Sequence, residues 1–120
     1  GIDILPTLCD YAGIEIPSPL IGRSLRQIAE GKELQESRQY VVSENDIGRM
    51  LRSDRYKYCV YIEGNQRESL VDLQKDPGEL NNLATHPEYQ GILYSHQTYM
   101  QEWIEQSNDQ EANSFAIIRN

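Results

Sequence analysis

A β-hairpin is predicted near the middle of the chain by the run Arg49-Met50-Leu51-Arg52-Ser53-Asp54-Arg55-Tyr56-Lys57-Tyr58-Cys59-Val60-Tyr61-Ile62. Successive side chains of a strand point to opposite faces, and from 56 to 62 every second residue is aromatic or β-branched. Ser53 and Asp54 supply a tight turn between the two halves. Because that turn is short, the two strands are expected to pair antiparallel.

Two further strands and one long helix are predicted around this hairpin. Pro87 suits the first turn of a helix, and an apolar stripe that includes Leu93 and Trp103 follows at helical spacing. We expect both side chains to be buried against the sheet. The predicted fold is therefore α+β, a four-stranded antiparallel sheet packed against a long C-terminal helix, with short N-terminal helices. The strands are expected near 40–45, 49–53, 56–62 and 69–73, and the long helix near 87–106.

The N-terminal part is predicted to be helical and turn-rich. Asp3 is expected to cap a helix over 3–12, which Gly13 ends. Its apolar face consists of Leu5, Leu8, Cys9 and Ala12. A capping-box pattern from Ser24 starts a short helix that Gly31 closes, with Leu25, Ile28 and Ala29 inward. The domain boundaries follow as 1–38 for the helices and linker, 39–107 for sheet and long helix, and 108–120 for a tail whose Phe115-Ala116-Ile117-Ile118 patch docks on the fold or on a partner domain.

Composition narrows the classes of function. The chain has 120 residues and a net charge of −8, from 11 Lys and Arg against 19 Asp and Glu. Nucleic acid is disfavoured as a partner, because phosphate binding needs clustered cations. No apolar run approaches the roughly 18 residues of a membrane span. Cys9 and Cys59 do not have the spacing of a metal site; they fit two small buried side chains, although a disulfide remains open.

The residues suited to catalysis form no recognisable constellation. No Gly-x-Ser-x-Gly elbow occurs, and a nucleophile needs an adjacent base and an oxyanion site. His86 at a helix start and His96 on an apolar helix face fit structural roles. Asp72, Asp76 and Glu79 are the tightest carboxylate group; they fit turn hydrogen bonds or, as the alternative, calcium.

Four segments, taken in order, resemble the sulfatase family. The first, Asp3 to Ile14, resembles its "D-x-x-P-T-x-x-x-x-A-G" helix, and the second, Gly22-Arg23-Ser24-Leu25, resembles its "G-x-S-L" turn. Glu44 with 49–58 resembles "R-x-x-R-T-x-R-Y-K-Y", with Ser53 where Thr is common. Residues 70–84 resemble "L-Y-D-L-x-x-D-P-x-E-x-x-N-L-A", with Val71 where Tyr is usual. The resemblance extends from Ile2 to about Trp103.

The resemblance implies that this chain is the C-terminal part of a hydrolase that acts on sulfate esters. Such enzymes have a large N-terminal α/β catalytic domain, a calcium ion, and a formylglycine made in a Cys/Ser-x-Pro-x-Arg motif. That motif is absent here, so no catalytic or metal-binding residue is carried over and no cofactor is expected in this chain. Its expected partner is the missing N-terminal catalytic domain. The alternatives are the same subdomain of a phosphate or phosphonate ester hydrolase, or a stand-alone interaction module.

Two further expectations concern surfaces. Asn45, Asp46, Arg49 and Arg52 cluster around one predicted turn, and Arg and carboxylate groups can bind the anionic and hydroxyl groups of a sulfated sugar. We expect them at the rim of the parent's active-site cleft; the alternative is a solvated hairpin with weak surface ion pairs. Without the catalytic domain, the apolar face of the first helix would be exposed, so we expect the isolated chain to self-associate.

Overall fold

The computed structural model describes residues 1–33, 38–108 and 115. Contacts divide the chain into two compact units, Gly1–Ser37 and Arg38–Asn120, here called the N-terminal and the C-terminal unit. The elements of the N-terminal unit are α1 (Ile4–Ala12) and α2 (Arg26–Ala29). Those of the C-terminal unit are β1 (Val41–Glu44), β2 (Gly48–Arg52), β3 (Tyr56–Tyr61), β4 (Glu68–Asp72), a 3₁₀ turn (Pro87–Tyr89) and α3 (Gln90–Ser107). Among the described residues, no helix is long and apolar enough to cross a membrane.

The four strands form one antiparallel sheet in the order β1-β2-β3-β4. In the central pair Met50 lies opposite Cys59 and Leu51 opposite Tyr58. The predicted α+β fold is thereby confirmed, with strand ends displaced by at most one residue. Gly48 begins β2, one residue before the predicted start of that strand. A Cβ atom there would lie 3.1 Å from the Tyr61 ring, so the missing side chain lets that ring pack on the strand.

The core lies between one face of the sheet and α3. Leu51, Tyr58, Val60 and Leu70 from the strands meet Leu93, Met100 and Ile104 from the helix. The expected burial of Leu93 is confirmed, but that of Trp103 is wrong, because Trp103 is only half-buried and lies outside the core. With 3.6 residues per turn, adjacent helix residues are about 100° apart; Ile104 points at the sheet, so Trp103 lies at the edge of the stripe.

The chain beyond α3 returns one aromatic ring to the core. Phe115 is 3% exposed and belongs to the core cluster, which confirms that this residue of the predicted apolar patch docks on the fold. Residues 116–118 of the patch lie outside the described residues. The guanidinium carbon of Arg49 lies 4.3 Å from the centroid of the Phe115 ring, so the ring also covers a cation of β2.

Helix α1 holds the following loop with three polar side chains on one helix face. The predicted cap by Asp3 is wrong, because its side chain makes no capping hydrogen bond to α1. Its Oδ1 instead accepts a hydrogen bond from the Arg23 backbone N–H at 2.8 Å. Thr7 Oγ1 accepts from the Leu25 N–H at 2.9 Å, and Asp10 Oδ2 accepts from the Ser24 hydroxyl at 2.6 Å. Residues at i, i+4 and i+7 lie on one side of a helix, so the two family-like segments of this unit bind each other.

Helix α2 is a single turn and does not bury an apolar stripe. Leu25 and Ile28 are exposed, so their predicted inward orientation is wrong; a helix of four residues has no continuous face to cover. The Ser24 hydroxyl accepts from the Arg26 N–H at 3.2 Å, but no full capping box forms. Gly13 and Gly31 take the left-handed conformation with φ of 69° and 71°, as expected of helix ends.

The apolar face predicted for α1 is only partly exposed. Leu5, Leu8 and Ala12 are exposed, whereas Cys9 is buried. Cys59 is half-buried and both cysteines are free thiols, so the disulfide that the sequence left open is not formed.

Candidate functional site

The turn between β1 and β2 is built by Asn45, one of the four residues predicted for the substrate rim. Its side-chain Oδ1 accepts hydrogen bonds from the backbone N–H groups of Ile47 and Gly48, at 3.1 and 2.8 Å. Its own backbone N–H donates to the Gly48 carbonyl at 3.0 Å. The polar atoms of Asn45 therefore form the turn, while the neighbouring Asp46 is exposed at its tip.

Arg49 braces the same turn from the helix-covered face of the sheet. Only 8% of the residue is exposed. Its Nη1 donates to the Asn45 carbonyl at 2.6 Å, and its Nε lies 2.8 Å from Glu44 Oε2 in an ion pair. With Phe115 against its other side, Arg49 is enclosed. The structure thus brings Asn45 and Arg49 together in a folding role.

Arg52 lies at the opposite end of β2 from the turn. It lies three positions after Arg49 along the strand, about 10 Å away at 3.4 Å per residue. Its side chain points to the other face of the sheet. It lies opposite Lys57 of β3 in the antiparallel register. The four predicted rim residues therefore divide into Asn45 with Arg49, exposed Asp46 at the tip, and exposed Arg52 at the far end.

Lys57 and Glu79 form an ion pair beside Arg52. The Lys57 Nζ lies 3.0 and 2.9 Å from the two carboxylate oxygens of Glu79, and this hydrogen bonding raises the pKa of Lys57. Glu79 has φ of 56°, a conformation uncommon for residues other than glycine. The two side chains line a cavity of about 330 Å³ together with Met50, Arg52, Leu73 and Pro77.

Asp72 is held by Arg55 in a two-pronged ion pair. Arg55 Nε and Nη2 lie 3.0 and 2.7 Å from the two oxygens of Asp72, which is 1% exposed. The backbone N–H groups of Gln74 and Lys75 also donate to it. Hydrogen bonds from Arg55, followed by those from the backbone, lower the pKa of Asp72 to about 2.

The carboxylates predicted as a turn or calcium group are committed to the turn. Asp76 accepts hydrogen bonds from the backbone and side chain of Asn81 at 2.8 and 3.3 Å, Glu79 binds Lys57, and Asp72 binds Arg55. Within residues 1–33, 38–108 and 115, no group of three or more His, Cys, Asp or Glu side chains could hold a metal ion. These three carboxylates therefore do not form the calcium site that was the alternative to turn hydrogen bonds, and they hold the chain after β4.

Asn82 extends the edge of the sheet with its side chain. Its Oδ1 accepts from the backbone N–H groups of Leu70 and Ala84, both at 3.0 Å, and its Nδ2 donates to the Glu68 carbonyl at 3.1 Å. The amide thus satisfies backbone groups of β4 on the side where, within the described part of the chain, no fifth strand pairs. Together with Asp72 and Asp76, it gives the whole "D-L-x-x-D-P-x-E-x-x-N-L-A" segment a structural reason.

A buried serine–histidine pair joins the β2–β3 turn to α3, and the sequence analysis missed it. His96 is 4% exposed; its Nδ1 lies 2.8 Å from the Ile92 carbonyl, which makes Nδ1 the donor, so Nε2 accepts from the Ser53 hydroxyl at 2.9 Å. Burial is the cause that lowers the pKa of His96. A lone histidine within an apolar helix stripe was the signal that a polar partner had to exist.

This pair is arranged for support. A serine nucleophile needs an approach path for substrate and donors aimed at the oxyanion. Here the Ser53 oxygen also accepts the Tyr56 N–H at 3.3 Å, and the Tyr56 and Tyr99 rings pack against the imidazole with centroids 5.7 and 5.8 Å away. His86 likewise lies at the start of the 3₁₀ turn, with its ring against Tyr89.

Comparison with known proteins relates the chain to sulfatases. The protein-family model described as N-sulphoglucosamine sulphohydrolase, C-terminal, matches residues 1–107. The Delta 4,5-hexuronate-2-O-sulfatase of Bacteroides thetaiotaomicron is 45% identical over 116 residues, covering 90% of this chain and 24% of that protein. A solved 2-O GAG sulfatase superposes with a TM-score of 0.80 at 44% identity, covering 92% of this chain and 26% of the other.

Related ester hydrolases share the fold. The phosphonate monoester hydrolase of Silicibacter pomeroyi superposes with a TM-score of 0.75 at 27% identity, covering 86% of this chain and 24% of the other. The chain thus spans about a quarter of the length of the proteins that it matches.

Proposed function

The chain belongs to the N-sulphoglucosamine sulphohydrolase C-terminal family, and from that premise we propose that it is the structural C-terminal subdomain of a longer sulfuric ester hydrolase. The observation that carries the proposal is that the residues matching the family motifs form hydrogen bonds within the chain. Asp3, Thr7, Arg55, Asp72 and Asn82 all bind partners within the chain. Side chains that form internal hydrogen bonds stabilise the fold. The catalytic residues are then expected in the remainder of the polypeptide.

The catalytic centre of this longer protein would lie outside the chain. Neither cysteine, nor any serine, is followed by Pro-x-Arg at the required spacing, so the formylglycine would form elsewhere. Among the residues that the structure describes, no group of side chains could hold a metal ion, so calcium would also be held elsewhere. No step of the hydrolysis is assigned to residues of this chain.

The substrate class favoured for the longer protein is a 2-O-sulfated uronate glycan. The support is the 45% identity to the Delta 4,5-hexuronate-2-O-sulfatase. The second candidate, a phosphonate or phosphate ester, is favoured by the fold shared with the phosphonate monoester hydrolase. The test is to express the longer polypeptide and compare its turnover of a 2-O-sulfated unsaturated disaccharide, 4-nitrophenyl sulfate and phenyl phosphonate esters. Preferred turnover of the phosphonate would reject the sulfatase proposal.

A rim role is retained for the hairpin in a narrower form. Asp46 is exposed at the turn, whose shape depends on Asn45 and Arg49, and Arg52 remains a separate exposed cation. In the longer polypeptide, Arg49→Ala should loosen the turn, and Arg52→Ala should remove a charge at the far end of β2. A rim role requires a selective loss on the disaccharide compared with the small aryl sulfate, because remote contacts contribute only with the larger substrate. Equal effects on both substrates would leave a structural hairpin.

The exposed side chains of α1 are proposed to pack against the catalytic part of the longer protein. Leu5 and Leu8 are exposed on this helix, and contiguous apolar surface of this kind usually marks a site where another protein surface packs. The isolated chain should therefore self-associate, and Leu8→Glu should return it to monomer. Light scattering after gel filtration measures this; a monomeric wild-type chain at high concentration would contradict the proposal.

A further inference from the structure

One face of the four-stranded sheet carries α3, and the opposite face, here called the open face, is composed differently from a surface that meets water. Its central row crosses all four strands as Ser43, Met50, Cys59 and Ser69, which are uncharged. Strand alternation places Glu44, Glu68 and Asp72 on the helix-covered face, so no strand residue of the open face is acidic. Antiparallel sheets with one face in water usually carry polar and charged side chains outward.

The second row of the open face is Val41, Arg52, Lys57 and Val71. Lys57 is neutralised by Glu79, which reaches back from the turn after β4. Arg52 is therefore the excess charge on this face, in a chain whose net charge is −8. Val71 is already covered within the chain at 6% exposed, whereas Val41 is 47% exposed. A surface that fits this row presents an acidic group to Arg52 and an apolar group to Val41.

The open face has concave sites beside Met50. One cavity of about 280 Å³ is lined by Ser43, Gly48, Cys59 and Tyr61, among others. The second, of about 330 Å³, lies on the side of Arg52 and Lys57. Among the charged lining residues, Glu44 pairs with Arg49 and Lys57 pairs with Glu79, which leaves Arg52. Depletion of unpaired charge is typical of the buried centre of an interface.

We infer that the open face is the surface on which the catalytic part of the longer polypeptide packs, with an acidic residue of that part against Arg52. The inference rests on the proposed function for the existence of that part. Relatives carry about three quarters of their length outside this domain, so such a surface is present in the same polypeptide at high effective concentration. A second copy fits poorly, because a two-fold contact centred on this row would bring Arg52 of one copy against Arg52 of the other.

Hydroxyl-radical footprinting read by mass spectrometry tests this inference side chain by side chain. The 120-residue chain and the longer polypeptide are labelled in parallel. Met50, Cys59 and Tyr61 of the open face should lose most of their labelling in the longer polypeptide. Tyr94, which is 62% exposed on α3, is the matched control and should stay labelled. Met100, buried in the core, reports folding and should stay unlabelled in both.

Two footprinting results would overturn the inference. If Tyr94 becomes protected while the open-face residues do not, the catalytic part packs on α3 instead. If the open face is protected in the short chain in proportion to its concentration, a second copy covers it. Activity enters neither readout, so a longer polypeptide that shows the protection but hydrolyses no sulfate ester would reject the proposed function alone.

If Met100 is labelled in the 120-residue chain, that chain is unfolded and the footprinting comparison does not apply. A charge reversal in the longer polypeptide then tests the inference. Arg52→Glu in the longer polypeptide would oppose the acidic residue of the catalytic part and should lower the Tm. The control Tyr94→Glu, on the outer side of α3, should leave the Tm unchanged. An unchanged Tm for Arg52→Glu would overturn the inference.

Discussion

Gly22→Ala tests the hydrogen-bonded junction of the N-terminal unit. An ideal Cβ atom at Gly22 would lie 1.9 Å from the Ile2 carbonyl oxygen and 3.1 Å from Pro6 Cγ. Non-bonded carbon and oxygen atoms rarely approach closer than about 3.3 Å, so the backbone must move by more than an ångström. That movement would separate the loop from Asp3 and Thr7, whose hydrogen bonds to it are 2.8 and 2.9 Å long.

The expected cost combines overpacking with lost hydrogen bonds. Overpacking costs about 1–3 kcal/mol, and each of the two lost hydrogen bonds costs about 0.5–1.5 kcal/mol, so Gly22→Ala should destabilise the N-terminal unit by about 2–6 kcal/mol. Amide hydrogen exchange of α1 peptides measures the effect locally. Gly91→Ala is the matched control, because nothing beyond the adjacent residues and the nearby backbone of its own helix lies within 4 Å of its Cβ position and alanine favours a helix by about 1 kcal/mol. Unchanged exchange in α1 of the Gly22 variant would refute the reasoning.

Three further predictions concern the C-terminal unit. Leu51→Ala should cost about 2–5 kcal/mol in urea unfolding, and half-buried Trp103→Ala should cost less; equal costs would place Trp103 in the core. Stability should fall as the pH drops below about 6.5, because burial lowers the pKa of His96 and the unfolded chain binds the proton first; His96→Gln should weaken this dependence. The contribution of Asp72 should be complete above about pH 4 and lost as the pH falls through about 2, and Asp72→Asn should remove it.

The sheet and the long helix could be predicted from the sequence because their signals are local. Alternation over 56–62 and an apolar stripe from Leu93 to Ile104 each specify an element and its buried face. The strand assignments therefore differ from the structure only at their ends, and Trp103 was misplaced because it lies one residue from the centre of the stripe.

The contacts that join distant segments could not be predicted in the same way. Asp3 at the start of α1 fits a helix cap by its local pattern, yet it binds Arg23, twenty residues later. Ser53 and His96 are 43 residues apart, and only the fold brings them together. The expected clustering of the four rim residues failed for a related reason. These polar residues are close in sequence, but strand alternation encloses Arg49 and turns Arg52 to the opposite face of the sheet.

Turnover of 4-nitrophenyl sulfate by two purified proteins tests the central proposal most directly. One protein is the 120-residue chain and the other is the longer polypeptide from the same reading frame, with its purity checked by mass spectrometry. The chain lacks the Cys/Ser-x-Pro-x-Arg motif, and its His96, Asp72 and Glu79 have structural partners. We expect the longer polypeptide to hydrolyse 4-nitrophenyl sulfate and the 120-residue chain to show no turnover above buffer. Sustained turnover by the chain alone would contradict the proposal.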